Sequence, residues 1–200
     1  VAQDFWQIFP FDTARAWSRT EVKMTYDDRF LYVGAVCYDS LPGKQYVVQS
    51  LKRDFSYPKT DAFAVYLDPT GDKQNGFNFT VSPFGVQREG LIEGGGTAGV
   101  TTAWDNKWFS EVTRFPDKWV VEMAIPFKSL RYKKSVQVWG VNFSRQNLKL
   151  NENSAWASVP RNFNVASLAF CGQLTWDAPP PKPGLNLSLI PYGLGNMNAD

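Results

Sequence analysis

Apolar and polar side chains alternate with a period of two along most of this chain, and nothing else in it constrains the fold as strongly. In Thr20–Tyr26, Val22, Met24 and Tyr26 alternate with Glu21, Lys23 and Thr25, the pattern of a strand with one face in water. Asp27-Asp28-Arg29 then turns the chain into Phe30–Tyr38, which is apolar on both faces and reads as the central partner in a hairpin. Further strands are predicted over 61–68, 76–82, 86–92, 108–115, 118–125, 136–148 and 171–176. Turn chemistry separates them, as in Pro69-Thr70-Gly71-Asp72, Pro83-Phe84-Gly85 and Pro116-Asp117. Helix is scarce: 127–130 after Pro126 suits a single turn, and 44–55 is ambiguous. Closely spaced strands without strand–helix alternation predict an all-β fold, an antiparallel two-sheet β-sandwich of the jelly-roll or immunoglobulin-like kind.

Two segments break the alternation. Gly94-Gly95-Gly96-Thr97-Ala98-Gly99 reads as a mobile surface loop, because a phosphate cradle would need a following Lys-Ser/Thr or a helix start. Pro179-Pro180-Pro181-Lys182-Pro183-Gly184 reads as a stiff linker. The expected organisation is therefore a sandwich over 1–178, a linker over 179–184 and a tail over 185–200. In the tail, Leu185, Leu187 and Leu189 alternate with Asn186 and Ser188. A strand of that kind must bury its apolar face or meet lipid, so it begins a β-barrel region or returns as an edge strand of the sandwich.

Composition removes several function classes. There is no histidine among the 200 residues, which excludes Ser-His-Asp and Cys-His machinery and any His-ligated zinc or haem. Two cysteines cannot make a four-thiolate zinc site. They permit one bridge, Cys37 to Cys171, although Cys37 inside an apolar run also reads as a small buried hydrophobe. A net charge of +2 argues against a nucleic-acid partner and against a polybasic membrane anchor. No apolar run reaches the roughly 20 residues of a membrane-spanning helix. Val1-Ala2-Gln3-Asp4 lacks the parts of a signal peptide, which has been removed or never existed. Aromatic residues, at 16%, leave rings available for a binding face.

Four groups of residues could carry chemistry. In Trp104-Asp105-Asn106-Lys107-Trp108, tryptophans beside a carboxylate and an amide suit a sugar, whose C–H face stacks on an indole while polar groups take its hydroxyls. The alternative is that Trp104 or Trp108 plugs the end of the sandwich. Arg145, Asn151, Glu152 and Trp156 could converge at a strand end as a polar pocket, or Arg145 could form a structural ion pair with Glu152 or Glu122. Asp68 and Asp72 could supply oxygens to calcium, against the alternative that they stabilise a turn, with Asp61 at the other end of the strand. Glu89, Asp105, Glu122 and Glu152 offer carboxylates for glycoside hydrolysis, but no spacing singles out two of them.

Several segments, taken in order, resemble one family. They include Asp4-Phe5-Trp6-Gln7, Tyr26-Asp27-Asp28, Asp61-Ala62-Phe63 and Phe79-Thr80-Val81-Ser82-Pro83-Phe84-Gly85. They continue with Trp119-Val120-Val121-Glu122-Met123-Ala124-Ile125-Pro126-Phe127, Trp139-Gly140-Val141-Asn142-Phe143 and Asn151-Glu152 with Trp156. From about residue 4 to residue 192 the chain is similar to the family 9 carbohydrate-binding modules. More narrowly, it resembles the version at the N-terminus of Gram-negative outer-membrane proteins, ahead of a β-barrel region of unknown function. The resemblance implies an antiparallel β-sandwich, export to the periplasm or cell surface, and an oligo- or polysaccharide partner. Family 9 modules clamp a terminal sugar between two tryptophans, and only Trp104 and Trp108 are offered as such a pair here. Haem-binding domains that share the fold use Met and His, and this chain has no histidine. The reading is a non-catalytic carbohydrate-binding module of an exported protein, with no cofactor except possible calcium. Its rival is a docking domain at an outer-membrane barrel that has lost its sugar site.

Overall fold

The structure is a computed structural model and describes residues 1–132, 135–178 and 180. The expected linker lies outside the described residues apart from Pro180, and the tail lies outside them entirely. Two antiparallel sheets form, as the alternation predicts. The smaller has the order β2(Thr20–Tyr26), β3(Phe30–Tyr38), β9(Lys118–Pro126), β8(Phe109–Phe115). The larger runs β1(Trp6–Phe9), β11(Glu152–Ala155), β10(Val138–Asn147), β4(Ala62–Asp68), β5(Gly76–Val81), β6(Gln87–Ile92), β7(Val100–Thr101). β12(Gly172–Thr175) shares an edge of β10 with β11.

Register decides which side chains meet. Val22 lies opposite Ala35, and Ala35 opposite Val121, so the apolar sets of three strands share one face of the small sheet. On the large sheet Val65 lies opposite Phe79 and Phe143. These two faces close on each other as one core, which takes in Phe63, Leu67, Trp119, Ile125, Trp139 and Val141. One end is filled by rings: Trp139 stands 4.8 Å from both Tyr132 and Trp176, and 6.4 Å from Phe127. The single turn expected after Pro126 forms as a 3-10 turn, Phe127–Ser129.

The large sheet is buried on both faces. A second cluster, with Phe55, Tyr57, Ala166 and Leu168, covers Ala62, Ala64, Tyr66 and Ile92. That cover explains why 62–68 and 76–81 are buried at every position, although only alternate residues face the small sheet. Phe30–Tyr38 behaves differently: β3 is central, but Tyr32, Gly34, Val36 and Tyr38 remain half-exposed because, among the described residues, no second layer covers the outside of the small sheet.

Two expectations are corrected, and the alternatives left open for the cysteines are decided. Residues 152–155, outside the expected strands, form β11 and pair with both β10 and β1. The glycine segment does not lie free: Gly96 has φ +80°, and a Cβ there would come within 2.1 Å of the Ala166 carbonyl oxygen. Cys37 and Cys171 both carry free thiols. Cys37 belongs to the core between the sheets, whereas Cys171 packs on the other side of the large sheet beside Gly140. Burial pushes the Cys37 thiol up to about 11 and the Cys171 thiol up to about 12.

Two measurements check this arrangement. Trp139→Ala removes the fully buried ring around which three others pack, and lowers unfolding stability in urea by about 3–5 kcal/mol. A loss under 1 kcal/mol would mean that the rings are not a packed unit. Ellman's reagent at pH 8 finds no rapidly reacting thiol in the folded chain and both thiols after denaturation.

Candidate functional site

The segment between β7 and β8 is held by one carboxylate. Glu89 lies opposite Phe79 and so points between the sheets, where its side chain is fully buried. The Arg53 guanidinium pairs with it, Nε donating to Oε1 at 3.0 Å with Nη2 on the same oxygen. The Asn106 N–H donates to Oε1 at 3.3 Å, and the Trp108 indole Nε1–H donates to Oε2 at 3.2 Å. A buried carboxylate needs such donors, and the loop supplies two of them.

This arrangement separates the two tryptophans expected to act as a pair. Trp108 is a core residue, 4% exposed, with its ring 5.3 Å from Phe79. It plugs the sandwich, because its N–H is required by Glu89 and its ring by the apolar face of β5. Trp104 stays half-buried, 5.3 Å from Phe77 and 6.2 Å from Phe79. Asp105 between them is exposed. Asn106 ties the loop to the 3-10 turn, since Ser129 Oγ donates to Asn106 Oδ1 at 2.9 Å.

Trp104, Phe77 and Leu91 form the apolar wall of a cavity of about 490 Å³ at this end of the molecule. Its polar lining comes from Asn75, Glu93, Asn106, Lys128 and Arg131. Of the residues singled out in the sequence, Trp104 and Asn106 reach this cavity, and Asp105 and Trp108 do not line it. Lys128 and Arg131 carried one unused signal: in the run after Pro126, Phe127 and Leu130 are apolar anchors, which leaves the residues after each of them facing outward.

The second group does not converge as a pocket. Arg145 and Glu152 are both buried but form no ion pair with each other. Arg145 Nη1 donates to the Arg19 carbonyl at 3.1 Å and to Thr20 Oγ1 at 3.3 Å. Glu152 accepts from Gln7 Nε2 at 2.9 Å, from the Trp17 N–H at 2.6 Å and from the Ser18 N–H at 3.3 Å. The N-terminal segment thus supplies the donors that a pocket reading reserved for a ligand. Asn151 is exposed at the β10–β11 turn with φ 53°, and Trp156 packs on Phe143 at 5.8 Å and over Gly172.

The acidic residues of the β4–β5 hairpin stabilise its turn. Asp68 Oδ1 accepts from the N–H groups of Thr70 and Gly71 at 3.2 and 2.8 Å, and Oδ2 from that of Lys73 at 2.9 Å. Asp72 Oδ1 accepts from the N–H groups of Gln74 and Asn75 at 2.7 and 2.9 Å. Donors therefore occupy the oxygens that calcium would use, and no group of three or more acidic or thiol side chains is placed to hold a metal among the described residues. Asp61 takes the N–H groups of Val47 and Leu148 at 2.6 and 2.5 Å, and burial still raises its carboxyl above the ordinary range.

No family model and no curated protein matches the chain. Solved structures do match it in fold. A family 9 carbohydrate-binding module from Caldicellulosiruptor kristjanssonii in complex with cellotriose has TM-score 0.57 and 17% identity, covering 96% of this chain and 88% of that one. A family 9 module from the same organism in complex with glucose has TM-score 0.58 and 17% identity, covering 94% and 88%. A proposed carbohydrate-binding protein from Bacteroides uniformis has TM-score 0.66 and 14% identity, covering 86% and 84%. The chain shares the sandwich of these proteins over most of its length.

Glu89→Ala tests how the site is held. It strips two loop donors and Arg53 of their common acceptor and lowers unfolding stability by about 3 kcal/mol in urea denaturation. An unchanged midpoint would show that the loop is held by something else.

Proposed function

We propose that the chain is a non-catalytic carbohydrate-binding module whose site is the cavity beside Trp104. The observation that carries this reading is the half-buried Trp104 ring, braced by Phe77 and accompanied in the lining by two amides, a carboxylate and two cations. A pyranose needs that combination, a flat ring for its C–H face and directional polar groups for its hydroxyls. The cavity volume of about 490 Å³ suits one or two sugar rings. The fold neighbours in complex with cellotriose and glucose support the same ligand class. The non-catalytic part rests on the lining: Glu93 is the one carboxylate among the described lining residues, whereas glycoside hydrolysis uses two across the scissile bond. Resemblance to the outer-membrane versions of the family supports an exported module, joined by its Pro-rich linker to a following barrel region. Cleavage of the folded chain at 179–184, leaving a fragment ending at Ala178 with an unchanged melting temperature, is the expected sign of such an arrangement.

One observation favours a docking domain instead: Phe109 and Phe115 stand 49% and 45% exposed on the edge strand β8 of the uncovered small sheet.

A glycan array followed by titration calorimetry decides between the two. Trp104→Ala weakens binding of the glycan found by about tenfold or more, with little change in melting temperature. Trp108→Ala instead unfolds the chain at a markedly lower temperature, as expected of a buried plug. An array without a single bound glycan, or a Trp104→Ala variant that binds as the parent does, removes the sugar site from this cavity.

A further inference from the structure

We propose that the sugar held in this cavity is acidic, a hexuronide whose carboxylate is taken by Arg131 with Lys128 beside it; the inference rests on the carbohydrate reading above. The cavity lining carries two cations, Lys128 and Arg131, against one anion, Glu93. Among the described residues none of the three side chains has an ion pair or a hydrogen bond. A neutral sugar seated here would displace water from both cations and return only hydroxyl contacts. A sugar with a single carboxylate matches the single excess positive charge, and it offers the guanidinium the planar, two-oxygen partner that suits its fork geometry. Glu93 on the lining is then free to accept from ring hydroxyls.

The fold also fixes where the cations stand. Phe127 and Leu130 are each 1% exposed and anchor the 3-10 turn in the core, so Lys128 and Arg131 project from it. The Ser129–Asn106 hydrogen bond ties the same turn to the loop that carries Trp104. The aromatic platform and the cationic wall are therefore held at a set separation.

The test is titration calorimetry on the intact chain with two matched pairs. One is the β-1,4-linked glucuronic acid trimer against cellotriose, and the other is the galacturonic acid trimer against its carboxyl-reduced form. Within each pair the ligands differ only in carboxylate against hydroxymethyl. The expected result is that at least one acid binds ten times or more tighter than its neutral partner at low salt. That advantage shrinks as salt is raised. Arg131→Gln abolishes most of the advantage and weakens the neutral trimer far less than the acid, whereas Trp104→Ala weakens both. Neutral trimers binding as well as the acids overturn the inference and leave the cavity as a sugar site. Binding of neither pair, nor of any glycan on the array, overturns the inference and the carbohydrate reading together.

Discussion

The Glu89 carboxylate is the interaction on which the site depends. Its placement follows from register: β6 pairs with β5 so that Glu89 falls opposite Phe79, on the face that closes against the other sheet. A carboxylate without partners there would cost several kcal/mol. The molecule meets this by bringing Arg53 from one loop and Asn106 and Trp108 from another. The loop that carries Trp104 is thus drawn over the end of the sandwich to satisfy a charge, and the cavity is what remains beneath it. An apolar residue at position 89 would match the face of the strand, but it would leave Arg53, Asn106 and Trp108 without their common acceptor.

The same logic operates at the other group of buried charges. Arg145, Glu152, Asp61 and the Lys149–Asp39 pair are all buried, and most of their partners lie in loops or at strand ends. Glu152 collects donors from Gln7, Trp17 and Ser18, which fastens the N-terminal segment across β11. These contacts specify position more than they add stability, since a well-packed apolar replacement is often as stable as a buried ion pair. They also account for the failed expectation of a pocket. A cluster of charged and amide residues near a strand end can serve ligand or scaffold, and here the Arg19 carbonyl, which accepts from Arg145, and the Trp17 and Ser18 N–H groups, which donate to Glu152, settle the matter in favour of scaffold.

Most of the fold was legible in the sequence because the alternation is long and the turns are chemically marked. Thr20–Tyr26 and Phe30–Tyr38 fall where the pattern puts them. β1 and β11 were hidden for a physical reason: at four residues each, with Gln7 facing Ser154 and both buried, they have polar residues where the pattern expects apolar ones. The site was legible in part. Trp104 and Trp108 occur in one short loop with identical chemistry, and only the buried Glu89 acceptor decides which becomes a plug. That pairing spans nineteen residues and depends on a strand register, which a linear pattern does not contain. Lys128 and Arg131 escaped for a related reason, since two surface cations acquire meaning only once a turn is seen to face a tryptophan.

The division between frame and lining also bears on the likeness to known modules. Identities of 14–17% over most of the chain leave the two-sheet frame intact. Fold similarity of this kind reports the inward-facing apolar positions, which many sequences can fill. The cavity is lined differently: Trp104 and Asn106 come from a loop, Lys128 from a 3-10 turn, Arg131 from the segment after it and Asn75 from a hairpin turn. Such segments change composition without disturbing the core, because their side chains contribute little to it. Asn106 is the exception, being tied to both Glu89 and Ser129. It couples the frame to the lining, so the charge at the mouth of the cavity can change while the position of the Trp104 loop is held from beneath.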